Sequence, residues 1–191
     1  MAQGDLTTLA NVQAWLFSAG DPPASSGAVL GQLITEASAF VVNYLNRPVI
    51  AADYVERYDG MGETVIVRNW PIVSVTSIAI AGGPNITNAS PDGLSPGWLF
   101  DANSPRISLI GYCAPRDRLN VQVSYRAGYA TVPPDLEQAV IQIVAEQYKA
   151  RDRIGVNSKT LGGQETVSFQ TKAFNDYAKG ALANYRRLAP V

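Results

Sequence analysis

The sequence contains no histidine, and it has a single cysteine, Cys113, in 191 residues. Histidine is the commonest general acid or base and the commonest metal ligand, so Ser-His-Asp catalysis, Cys-His catalysis and histidine-based metal sites are excluded. One cysteine also excludes an intrachain disulfide and thiolate clusters. An enzyme would need carboxylates, lysine or tyrosine alone. We therefore expect no enzymatic activity, no catalytic residue, no cofactor and no metal ion.

Other targeting and binding signals are missing as well. The stretch Met1–Ala10 lacks a basic region followed by an apolar one, so no signal peptide is expected. Uninterrupted apolar runs fall short of the about 20 residues that span a bilayer, so no membrane partner is expected. The formal net charge of −1 gives no overall attraction to nucleic acid. The glycines match neither phosphate-binding pattern, G-x-G-x-x-G or G-x-x-x-x-G-K-[ST].

Both ends of the chain carry helical patterns. Apolar residues recur every three or four positions in four segments, which predicts helices at about 7–18, 26–46, 134–153 and 172–188. Thr7 or Thr8 can cap the first helix, because a side-chain oxygen can accept an orphan N–H of the first turn. Arg47 precedes Pro48 and closes the second helix, since the residue before proline avoids the helical region.

The middle of the chain, about 51–130, is typical of strands. Short β-branched and aromatic runs alternate with turn residues, which predicts a small antiparallel β-sheet or barrel-like region inserted between helices. The runs Tyr54–Tyr58 and Thr64–Val67 flank Asp59–Gly62, a pattern that predicts a hairpin. A long exposed loop is expected at Gly82–Gly97. The fold class is therefore α+β, a bundle of about four helices with a β-rich insertion.

The C-terminal segment, residues 154–191, is predicted to be a flexible linker at Gly155–Gly163 followed by an amphipathic helix, outside a main domain at 1–153. From Glu146 onward, eight basic residues face four acidic ones. Two interpretations stay open: the helix folds back on its own domain, or it is an arm that docks on a partner or a neighbouring copy. The candidate contact residues are Phe174, Tyr177, Ala181, Tyr185, Arg186, Arg187 and Leu188.

Acidic residues cluster loosely in the β-rich region, at Asp53, Glu56, Asp59 and Glu63. A carboxylate pair can perform acid–base chemistry or bind a cation. Asp59 stands in a predicted turn, where aspartate is favoured for backbone reasons. We interpret these acids as solvated strand faces and turn residues.

Five short stretches in order carry a resemblance to a known family: Val41–Pro48, Glu56–Gly60, Val67–Ile78, Val123–Ala130 and Val132–Val140. They read VVNYLNRP, ERYDG, VRNWPIVSVTSI, VSYRAGYA and VPPDLEQAV. Together they resemble the head–tail connector (adaptor or head-completion) proteins of long-tailed phages, prophages and gene-transfer particles. The resemblance covers roughly residues 7 to 153.

The resemblance implies a structural virion protein at the neck, assembled in the cytoplasm of a bacterial host. Copies would form a ring, a dodecamer, under the portal protein of the filled capsid. The ring would extend the DNA channel, let DNA pass without specific binding, and present a platform for the next neck or tail-completion protein. The C-terminal segment would be the candidate for the portal contact.

Two other classes stay open. One is a non-catalytic β-rich ligand-binding module, for carbohydrate, that would use Trp70 and Trp98. The other is a hydrolase without histidine that would use a carboxylate pair. A binding module should be a monomer that binds a small ligand, whereas a connector should form rings and show no turnover.

Overall fold

The structure is a computed structural model, and it describes residues 4–17, 20, 22–23, 25–151, 158–161, 165–168 and 176–187. The chain divides into two compact units. Unit 1 combines Met1–Arg47 with Val132–Val191, and unit 2 is Pro48–Thr131. The described helices are α1 (Leu9–Leu16), α2 (Ser26–Leu45), α3 (Pro134–Ala150) and α4 (Asp176–Ala183). The predicted α+β class is confirmed.

The ends of the first two helices follow from local chemistry. Thr8 caps α1, because its Oγ1 accepts a hydrogen bond from the backbone N–H of Asn11 at 3.1 Å. Its neighbour Thr7 is buried, and its hydroxyl donates to Glu137 Oε1 of α3 at 3.1 Å. At the end of α2, Asn46 takes the left-handed conformation with φ 54°, which asparagine tolerates well. The chain then leaves the helix at Arg47-Pro48, as predicted.

Helix α2 differs from expectation in one respect. Among the described residues, it is the one helix long and apolar enough, by length and composition alone, to cross a membrane. A core helix meets the same criteria, and Leu30, Ile34 and Val41 of α2 are buried in unit 1. The expectation missed this helix because polar residues such as Thr35 and Glu36 interrupt its apolar runs.

Unit 2 contains two antiparallel sheets built from seven strands. These are β1 (Ala52–Tyr58), β2 (Thr64–Ile66), β3 (Ile72–Ile80), β4 (Asn85–Ile86), β5 (Gly97–Phe100), β6 (Arg106–Ile110) and β7 (Val121–Ala127). The strand orders are β1-β7-β3-β4 and β2-β6-β5. Residues of both sheets, among them Val65, Ile78, Ile107 and Val123, share one hydrophobic core. Among the described residues the sheets stay open, so the region is two sheets over a common core and not a closed barrel.

The predicted hairpin between Tyr54–Tyr58 and Thr64–Val67 is wrong. Strand β1 pairs with β7, whereas β2 pairs with β6, so the two runs lie in different sheets. The intervening glycines make a connection between sheets. The N–H of Gly60 donates to Asp117 O at 3.0 Å, and Gly62 exchanges backbone hydrogen bonds with Ala114 at 3.0 and 2.8 Å.

Two predicted loops contain more structure than expected. Within Gly82–Gly97, Ile86 is buried and pairs with Ile78 of β3. Within Gly155–Gly163, residues Ser158–Leu161 form β8, which pairs antiparallel with β9 (Glu165–Ser168). The pattern of β-forming residues on both sides of Gly162-Gly163 indicates a hairpin, and the linker prediction overlooked it. The domain boundary at residue 153 stays a prediction, since 152–157 and 169–175 lie outside the described residues.

Candidate interaction surface

Helix α4 packs against its own unit. It lies on α3 and α2, and its side chains Ala178 and Leu182 are fully buried. The spacing of four residues puts both on one face of the helix. In this state the C-terminal helix is folded back, which is the first of the two arrangements left open by the sequence.

The residues that follow α4 are held by three contacts. The hydroxyl of Tyr185 donates to the carboxylate of Asp135, with both oxygens at 2.9 Å. The guanidinium carbon of Arg186 lies 5.2 Å from the ring centroid of Tyr44, within the range of a cation–π interaction. The backbone N–H of Arg187 donates to Leu45 O at 2.9 Å, which satisfies a carbonyl at the end of α2.

The seven predicted contact residues therefore separate into three groups. Tyr185, Arg186 and Arg187 contact unit 1 itself. Tyr177 is 54% exposed and Ala181 is half-buried. Phe174 and Leu188 lie outside the described residues. Of the described set, Tyr177 is the large apolar side chain that α4 presents to solvent.

Unit 2 contains a polar cluster around Glu56 that the sequence reading missed. Glu56 Oε2 accepts hydrogen bonds from the hydroxyls of Tyr58 and of Tyr125, the latter at 2.6 Å. The two hydroxyls lie 3.1 Å apart. They accept in turn from backbone N–H groups of the segment between β2 and β3, Arg68 at 3.0 Å and Asn69 at 3.3 Å. The cluster therefore ties this segment to strands β1 and β7.

Burial and the Glu56 carboxylate both favour the neutral phenols in this cluster. Burial first, and then the hydrogen bond to Glu56, raises the pKa of Tyr125 to about 12. The same causes raise the pKa of Tyr58 far above its ordinary value. The pKa of Tyr54, whose ring centroid lies 5.6 Å from that of Tyr125, is raised by burial and by the charge of Glu56. Protonated tyrosines donating to a carboxylate form a structural network.

The signal for this cluster was the alternation in β1. Tyr54, Glu56 and Tyr58 occupy alternate positions and so share one face of the strand. Glu56 is therefore not on a solvated face as interpreted. Asp53 is, and it forms an exposed ion pair with Arg126 at 2.9 Å. Asp59 is a turn residue as interpreted, because its Oδ1 accepts from the N–H of Leu119 at 2.8 Å.

A rigid end of unit 2 lies beside this turn. Asn120 bridges two loops: its Oδ1 accepts from Gly60 N at 2.7 Å, and its Nδ2 donates to Pro115 O at 2.8 Å. A Cβ on Gly60 would stand 1.9 Å from Pro115 O, so only glycine fits. Leu119 takes φ 51°, unusual for leucine, and is exposed.

Residues 5–188 match the head completion protein family. The chain belongs to this family. It is therefore a structural component of a virion, located at the head–tail junction, and not an enzyme. No curated protein matches the chain.

Solved structures with the same fold come from gene transfer agent (GTA) particles. The neck of an empty GTA particle, computed with C6 symmetry, matches with a TM-score of 0.60 and 19% identity. The neck of a native GTA particle, computed with C12 symmetry, matches with 0.56 and 18%. The virion of a native GTA particle matches with 0.57 and 18%. Each match covers 100% of this chain and 94% of the other.

The tryptophans of this head completion protein do not form a sugar-binding platform. Trp98 is 4% exposed and belongs to the core of unit 2, so its ring cannot stack on a ligand. Trp70 is half-buried. The ligand-binding alternative rested on both rings being accessible, and this burial removes its basis.

Proposed function

We propose that this chain is a head–tail adaptor: copies form a ring of twelve under the portal, extend the DNA channel, and present a platform for the next neck or tail protein. The observation that carries the proposal is the family match over residues 5–188. The full-length likeness to the neck of a GTA particle solved with C12 symmetry supports a ring of twelve. A ring made by rotation uses two different faces of each copy.

For the portal contact we propose the surface around α4. Tyr177 is exposed on this helix, while Ala178 and Leu182 anchor the helix to unit 1. Tyrosine is enriched at interface hot spots because it buries a large ring and keeps a polar tip. Arg186 is also exposed and carries a charge next to Tyr44. The proposed contact residues remain Phe174, Tyr177, Ala181, Tyr185, Arg186, Arg187 and Leu188.

DNA passing through the ring would make no specific contacts in this proposal. The formal net charge of −1 gives no strong attraction to phosphate. The described ion pair between Asp53 and Arg126 neutralises one of the exposed arginines of unit 2. A near-neutral wall suits a channel that must let DNA move.

The experiment is to produce particles with and without this chain and to image them by negative stain. We expect DNA-filled heads without tails when the chain is missing, and recovery of tailed particles when purified chain is added to those heads. Tailed particles forming at the normal yield without the chain would overturn the proposal.

A further inference from the structure

The three-stranded sheet of unit 2 is apolar on both faces. Its inner residues Val65, Trp98 and Leu109 are buried in the core. Its outer face carries two large aliphatic side chains that are exposed, Ile66 at 50% and Leu99 at 41%. The register places the rest of this face beside them: Thr64 and Leu99 both pair with Ser108, and Ile66 pairs with Arg106.

The patch continues beyond the strands. Ile110 shares this face, two residues after Ser108, and is half-buried. The loop before β5 adds Leu94, which is 85% exposed. This loop is close to Leu99, because a Cβ on Gly93 would lie 4.0 Å from Leu99 Cδ2. We call Ile66, Leu94, Leu99 and Ile110 the aliphatic patch.

The other sheet of the same unit is an internal comparison. The outer face of β1-β7-β3-β4 carries Asp53, Arg57, Ser124, Arg126 and other polar residues. That is the alternation expected of an antiparallel sheet with one face in water. Strands β2, β5 and β6 lack it. Strands that read as apolar on both faces are typical of sheets buried on both sides.

We propose that the aliphatic patch is a subunit interface of the ring, and that a second copy of this chain covers it. This rests on the proposed function, because a ring of like copies is the partner that the C12 symmetry of the related GTA neck provides. An interface about 800 Å² per partner needs an apolar core with a polar rim, and the patch between Thr64, Ser108 and Arg106 has that arrangement. In a head-to-tail ring the patch meets a different face of the neighbouring copy.

The direct test uses a photo-crosslinking amino acid in place of Leu99, in assembled particles. The cross-linked peptide is identified by mass spectrometry. We expect a peptide of this same chain. A product with another virion protein, or no product in particles that contain the chain, would overturn the inference.

The second test compares Leu99→Asp with Leu99→Met. Leu99 is on the surface, so both variants should fold, which circular dichroism and the melting temperature check. Leu99→Asp should lower incorporation of the chain into particles by at least about tenfold, whereas Leu99→Met, which keeps the apolar area, should incorporate normally. Normal incorporation of Leu99→Asp would overturn the inference. If Leu99→Asp is unfolded, Ile66→Ser replaces it with the same expectation.

The two levels of the proposal fail differently. If wild-type particles contain no copy of this chain at the junction, the adaptor function itself is wrong. If wild-type particles contain it and the Leu99 variants assemble alike, only the assignment of the aliphatic patch is wrong.

Discussion

The hydroxyl of Tyr125 donates to Glu56 Oε2 across 2.6 Å, and the same hydroxyl accepts from the N–H of Asn69. The residues come from strand β7, strand β1 and the segment before β3. Hydrogen bonds to a charged partner are the stronger ones in proteins. This small network therefore contributes to the stability of unit 2, the part of the chain that carries the aliphatic patch.

Removing the hydroxyl tests this contribution. Tyr125→Phe should lower the free energy of unfolding by about 1–3 kcal/mol, because a charged hydrogen bond is lost and the Asn69 N–H is left without its acceptor. Urea unfolding followed by fluorescence measures the change. Tyr177→Phe is the matched control, since Tyr177 is exposed, and it should change stability by less than about 0.5 kcal/mol. Equal effects of the two variants would contradict the role of the network.

The same network predicts a loss of stability at high pH. The pKa of Tyr125 is raised to about 12 from the ordinary value of 10.0. A raised pKa in the folded state means that the stabilisation is complete below about pH 10 and is lost as the pH rises toward 12. Denaturation at pH 8 and pH 11 should therefore show a fall in unfolding free energy. The fall should be smaller in Tyr125→Phe than in wild type, and an identical fall in both would count against the account.

Ultraviolet absorbance checks the titration itself. The chain has nine tyrosines, and most should ionise near pH 10. Tyr58 and Tyr125 should ionise only at higher pH, so part of the absorbance change should be delayed. A single transition near pH 10 for all nine would show that the buried network is absent.

Two glycines should respond oppositely to alanine. In Gly60→Ala the new Cβ would meet Pro115 O at 1.9 Å, so the loop must move, and stability should fall by about 3 kcal/mol. In Gly31→Ala the Cβ enters open space within α2, and stability should rise by about 0.5–1 kcal/mol. Thermal unfolding of both variants is the measurement. A tolerated Gly60→Ala would mean that the loops at this end of unit 2 are not held as described.

The proposed portal contact separates two positions on α4. Leu182→Ala should lower the unfolding free energy by about 2–5 kcal/mol, because Leu182 is buried against unit 1. Tyr177→Ala should leave stability within about 0.5 kcal/mol and yet reduce the yield of tailed particles. A photo-crosslinking amino acid at Tyr177 should give a product with the portal protein. An unchanged yield together with no portal product would remove α4 from the proposed contact.

Local patterns predicted the helices better than the pairing of strands. The helix ends at Thr8 and Asn46-Arg47-Pro48 depend on neighbouring residues, so the sequence contains them. The hairpin prediction was wrong because β1 pairs with β7, more than sixty residues further along the chain. Nothing within Asp59–Gly62 tells a turn within one sheet from a connection between two sheets.

The candidate surfaces could be predicted only in part. The exposed Tyr177 was among the predicted contact residues, whereas the internal contacts of Tyr185 and Arg187 required the partners Asp135 and Leu45 to be placed. The network of Glu56 needed β1, β7 and the Asn69 segment together. The apolar runs of β2, β5 and β6 were visible in the sequence, but only the register shows which side chains share the outer face.

A reconstruction of the wild-type head–tail junction by electron cryo-microscopy tests the central claim most directly. The account predicts a closed ring of copies of this chain between the portal and the next neck protein, with the aliphatic patch covered by an adjacent copy. A junction in which the portal contacts the tail without this chain, or in which the chain is present at another site in the particle, would contradict it.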